Sequence, residues 1–114
     1  MDDNVAMAGL DPAPIIKAVA DDQRLRAFVG HGMIEVMPAR QARRRLLLDK
    51  IAQAFEPGVH YPEHEVNVFL RAIHPDHAAL RRYLVDDGFL SRAGGEYWRI
   101  GGTVFPSPAD QPEA

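Results

Sequence analysis

The chain contains no cysteine among its 114 residues. Disulfide cross-links, thiol nucleophiles and cysteine-ligated zinc are excluded at the outset. Hydroxyl side chains other than tyrosine are nearly as scarce: Ser91, Thr103 and Ser107 are the whole set, all in the C-terminal quarter. None of them sits in a nucleophile motif, and no glycine-rich loop opens a helix to cradle a phosphate. The carboxylates are scattered as caps and surface charges, so the expectation is a protein that is not an enzyme and has no cofactor. No apolar run approaches the roughly 18 residues a membrane helix needs. The first residues are acidic and lack the apolar stretch of a secretory signal. A cytoplasmic protein with no membrane partner is expected.

What is present is an ordinary globular composition, 46% apolar and 25% charged, enough for one modest core. The net charge of −3 is unevenly distributed. Residues 1–39 hold three cations against six acids, residues 40–100 hold ten against eight, and residues 101–114 hold two acids alone. The middle is weakly basic before its four histidines, His60, His64, His74 and His77, are counted. That balance is compatible with a nucleic-acid partner without demanding one.

Periodicity divides the chain into segments. Residues 1–13 show little of it and are expected to form a mobile lead-in, and residues 106–114 a disordered tail. Within residues 14–38, Ile15, Ile16, Val19, Leu25, Phe28 and Val29 recur at roughly helical spacing, with Pro14 suited to the first helical position. Met33 to Pro38 reads as either a short strand or an apolar connector. The winged-helix domain is expected over residues 39–105. Its first helix spans Ala39 to Phe55, with Leu46, Leu47, Ile51, Ala54 and Phe55 as its apolar stripe, and stops at Pro57-Gly58. Val59-His60-Tyr61 is a candidate third strand for the hairpin. Pro62 starts the next helix, whose face is Val66, Phe69, Leu70 and Ile73, and Pro75 ends it. After the three-residue turn His74-Pro75-Asp76 comes another helix, capped by Asp76 and stopped by Gly88. Phe89 to Arg92 and Glu96 to Ile100 then flank Ala93-Gly94-Gly95, a hairpin pattern. Two short helices followed by a hairpin is the layout of a winged helix-turn-helix. The fold expected is α+β, mostly helical, with an N-terminal packing or dimerisation helix and a C-terminal β-hairpin wing.

The runs Glu65-Val66-Asn67, Leu80-Arg81-Arg82, Leu84-Val85-Asp86, Gly88, Leu90 and Tyr97-Trp98-Arg99, with Arg45-Leu46-Leu47-Leu48 before them, resemble a bacterial family of unknown function. That family's domain occurs alone or as the C-terminal half of ArsR-type transcriptional regulators. The resemblance spans about residues 43–100. A shorter stretch, Ala18 to Arg26, is similar to the first-helix segment of ArsR-type winged helices, although no ArsR recognition helix follows it. The resemblance implies a regulator of transcription and supplies no ligand, operator or catalytic residue.

On this layout the helix over residues 76–87 would enter the major groove of double-stranded DNA and the hairpin over residues 89–100 would be the wing. Arg81 and Arg82, with His77 near the helix start, are expected to contact phosphates or guanine edges. Arg92 and Arg99 are expected on the wing, and Arg44 is added from the cluster Arg40, Arg43, Arg44 and Arg45. That cluster faces solvent or a partner more readily than DNA, because four cations oppose the helix dipole. A homodimer is expected, since one such module reads few base pairs. Two alternatives stand beside this reading. One is a protein-interaction module on the same fold, suggested by the acidic ends. The other is a metal-responsive sensor using the histidines, whose spacing across two prolines is poor for a ligand set.

Overall fold

The computed structural model describes residues 9–104. The expected tail and most of the expected lead-in lie outside that range; of the lead-in, Leu10 packs against the core. Helix α1 is Pro12–Asp21, two residues earlier than Pro14 would place it. Asp11 supplies the reason: its carboxylate accepts from the Ala13 N–H at 3.1 Å, and Pro12 fills the first helical position, where no N–H is missed. α1 ends where the Asp22 carboxylate turns to accept from the backbone N–H of Arg24, an alternative to continuing the helix. A single 3-10 turn, Arg26–Phe28, leads into strand β1, Val29–Gly30. β1 pairs antiparallel with β2, Met33–Ile34, so the apolar segment left open in the sequence begins as a strand. His31 and Gly32, both at positive φ, form the two-residue turn between them.

Helix α2, Gln41–Ala52, is shorter than the sequence pattern suggested. It buries Leu48 beside Leu47, Ile51 and Ala52, because it packs against α1 on one side and α4 on the other. Strand β3, Tyr61–Pro62, runs into helix α3, Glu63–Ile73, and helix α4, His77–Asp86, follows after the three-residue turn. Asp76 caps α4 through the Ala79 N–H at 3.1 Å. Gly88 terminates the segment at φ 82. Strands β4, Leu90–Ala93, and β5, Glu96–Arg99, close around Gly94-Gly95, both at positive φ, as a two-residue hairpin turn needs. β3 adds to the other side of β5, giving the order β3-β5-β4. Where the hairpin returns to the helix end, a Cβ on Gly101 would lie 2.3 Å from the Gly88 carbonyl oxygen.

One core joins all of this. It runs from Ile15, Val19 and Leu25 through Ile34, α2 and α3 to Leu80, Leu84, Leu90 and Tyr97. Phe55 stands edge-on to both Tyr61 and Phe69, with centroids 5.2 and 5.5 Å away. His74 is buried, and its Nδ1 lies 2.6 Å from the Ile34 carbonyl oxygen, tying β2 to the end of α3. The described residues thus form an α+β unit of four α-helices and two small antiparallel sheets.

Candidate nucleic-acid interface

Leu80 and Leu84 turn one side of α4 into the core. The helical period then places Arg81, Val85, Ala78 and Arg82 around the flank and outer side. β4 runs alongside, and the two elements leave a cleft of about 190 Å³ between them. Ala78, Arg81, Arg82, Val85, Asp86, Arg92 and Tyr97 line it. Three of the six candidate arginines and histidines named from the sequence are therefore brought together: Arg81 and Arg82 from the helix, Arg92 from the hairpin.

Their surroundings differ. Arg81 is half-buried and donates from Nη1 to the Asn67 side-chain carbonyl on α3. Arg92 is exposed, and its Nη1 lies 3.3 Å from the Tyr97 hydroxyl, to which it donates. That hydroxyl raises the Arg92 pKa above its ordinary value, first by the hydrogen bond. Arg82 is exposed and makes no hydrogen bond or ion pair among the described residues. The ion pairs of the described residues involve none of the three; they join Lys17 to Asp21, Asp22 to Arg24 and Lys50, and Arg45 to Asp87, while His31 contacts Glu35 and His60 contacts Glu96.

The other three candidates lie elsewhere. Arg99 faces inward and holds backbone: it donates to the carbonyls of Gly101 at 2.9 Å, Phe55 at 3.3 Å and Thr103. Arg44 spreads over the Tyr83 ring, 4.7 Å from its centroid, and donates to the Ala39 carbonyl at 3.3 Å. Its neighbour Arg45 covers Phe89 at 4.8 Å and donates to the Asp87 carbonyl at 3.0 Å. Two cations of the cluster at the start of α2 thus fasten it to α4 and the hairpin start, while Arg40 and Arg43 stay exposed. His77 sits half-buried in the first turn of α4 and does not line the cleft.

Two features escaped the sequence. Asn67, a polar residue on the amphipathic α3, accepts from Arg81, 14 residues away and beyond any local signal. Asp49 fastens the segment after β5 to α2, accepting from the Thr103 N–H at 2.7 Å and the Thr103 hydroxyl at 2.6 Å. Burial works to raise the Asp49 pKa, but the Thr103 and Gln53 hydrogen bonds, with Arg99 nearby, outweigh it and hold the carboxyl below its ordinary value. Of the histidines, His60 stacks on Trp98 at 4.3 Å and reaches Glu96 at 3.1 Å, far from the buried His74 in role and surroundings. Among the described residues no three His, Asp or Glu side chains come together as a metal site. No described helix is long and apolar enough to cross a membrane.

A family model, described as an uncharacterized protein conserved in bacteria (DUF2087), matches residues 33–99, from β2 to the end of β5. No curated protein and no solved structure matches the chain.

Proposed function

The chain belongs to the DUF2087 family, and on that premise we propose that it is a DNA-binding regulator of transcription built on a winged helix-turn-helix. In this reading α3 and α4 are the helix pair, α4 enters the major groove, and the β4–β5 hairpin is the wing. The observation that carries the reading is the cleft that Arg81, Arg82 and Arg92 line together, none of them in a salt bridge among the described residues although Asp86 lies in the same lining. Unpaired guanidinium groups on two adjacent elements are what a phosphate backbone requires of a protein surface. Ala78 beside them is small, so a backbone can approach closely. A homodimer belongs to the same reading, because two half-sites bring a short module to useful affinity. Arg99 drops out of the contact set, since its donors are spent on Phe55, Gly101 and Thr103, and Arg44 drops out because it lies over Tyr83 and does not line the cleft.

The test is duplex retention across a salt series. Arg82→Ala and Arg92→Ala are each expected to flatten the log–log salt slope by about one unit, the loss of one phosphate contact. Selection of bound duplexes from a random library then separates the two uses of Arg82. A guanine-edge contact produces a preferred base whose replacement costs about 1–3 kcal/mol, and a phosphate contact produces none. Unchanged slopes in both variants would remove the reading.

The interaction-module reading has its own observation. Pro12, Ala13, Ile16 and Ala20 on α1 and Ala72 on α3 line a mostly apolar groove on another side of the molecule. Retention of a protein partner, with no duplex retained at low salt, would favour it.

A further inference from the structure

Arginines are usually held in place by carboxylates, which orient the guanidinium and cancel its charge together. In the α4–hairpin cleft the two functions are separated. Arg81 is oriented by the Asn67 amide carbonyl and Arg92 by the Tyr97 hydroxyl, both neutral acceptors. Each bond occupies one of five N–H donors and adds no negative charge, while the Glu63 carboxylate acts on Arg92 through its charge without a salt bridge among the described residues. Arg82 adds a third guanidinium, and Asp86 is the one carboxylate lining the cleft. The space, about 190 Å³, has room for a tetrahedral oxyanion. The planar fork of arginine matches a phosphate oxygen pair better than it matches chloride or another spherical anion.

We propose that the cleft between α4 and the β4–β5 hairpin is a site for one phosphate group, in which Asn67 and Tyr97 position Arg81 and Arg92 without neutralising them. Asn67 and Tyr97 are positioning residues: they act on the ligand through the arginines. The phosphate is a phosphodiester of duplex DNA or a free phosphate-bearing ligand, and the chemistry of the site is the same for both. The inference uses the same cleft as the regulator reading but needs only the phosphate, so the two can fail separately.

The experiment follows the arginine Nε–H signals by NMR at constant ionic strength, in one arm with pyrophosphate and in the other with a short duplex. Signals of Arg81, Arg82 and Arg92 are expected to shift together in at least one arm. Shifts with pyrophosphate and no duplex binding would keep the site and remove the regulator reading. No shifts in either arm would overturn the site. Positioning is read from variants. Asn67→Ala and Arg81→Ala are each expected to weaken binding of whichever ligand the parent takes by roughly tenfold, the range of one charge-assisted contact. The double variant is expected to bind no more weakly than Arg81→Ala alone. Asn67→Asp keeps the hydrogen bond but pairs the guanidinium with a charge, so it is expected to melt no lower than the parent and still bind roughly tenfold more weakly. Tyr97→Phe keeps the buried ring and is expected to lose affinity with unchanged secondary structure. Parental affinity in Asn67→Asp, or losses that add in full between Asn67→Ala and Arg81→Ala, would overturn the positioning role.

Discussion

Arg99 and Arg92 belong to the same hairpin, and the ladder gives them different tasks. Leu90 pairs with Arg99 and Arg92 with Tyr97, so all four stand on the inner side of the pleat. Near the turn of the hairpin Arg92 borders the cleft, while at its base Arg99 reaches the carbonyls of Phe55, Gly101 and Thr103. Arg99→Ala is expected to cost roughly 1.5–3 kcal/mol, the range for hydrogen bonds to a charged donor, read as a lower denaturant midpoint. Its duplex salt slope is expected to stay at the parental value. Lysine is a poor replacement, since one ammonium cannot span three carbonyls as a planar fork does. Part of this was legible in the residues: Tyr97 and Arg99 alternate with Trp98, so a buried Tyr97 commits Arg99 to the inside. What alternation cannot supply is which of Tyr97 and Trp98 turns inward. Asn67 is the opposite case, because its meaning depends wholly on an arginine brought across from another helix.

At the scale of elements, the helix pair and the hairpin were readable because their boundaries are local chemistry. Pro75, Asp76 and Gly88 each act on their own backbone and stand where the pattern placed them, while Pro62 is the N-cap of α3 and not its first residue, and Ala93 joins β4 so that Gly94-Gly95 alone make the turn. α1 shifted by two residues because two prolines competed for one position and the cap at Asp11 chose between them. The β1–β2 pair was ambiguous because strands of two residues have no period to read. The strap after β5 was not readable at all, since its anchor, Asp49, lies 54 residues earlier on α2. That anchor has a pH signature. A carboxyl whose pKa is depressed in the folded state stabilises it above the unfolded value, near 3.9, and loses that contribution as pH falls through the lower folded value. Asp49→Asn is expected to lower stability at neutral pH and to flatten the acid limb of a stability–pH profile. Equal acid limbs in parent and variant would contradict the assignment.

For the whole molecule, the matched region and the folding unit do not coincide. The family match begins at Met33, yet Ile15, Val19 and Leu25, ahead of it, are buried in the common core. A fragment restricted to residues 33–104 is expected to bind a hydrophobic dye and to melt without a sharp transition, because the α2 and α3 surfaces under α1 would be bare. A cooperative melt of the fragment would show that α1 is an addition and not a component of the core. The uneven charge also has meaning only at this scale. A total of −3 conceals a weakly basic middle, and within that middle the fold gathers three guanidinium groups on one cleft while spending others on packing.

The contact between Gly88 and Gly101 determines how the ribbon can behave. The two backbones approach so closely at its root that a side chain on Gly101 has no room. Gly101→Ala is therefore expected to push the ribbon away from α4 and to reshape the cleft that Arg81, Arg82 and Arg92 line.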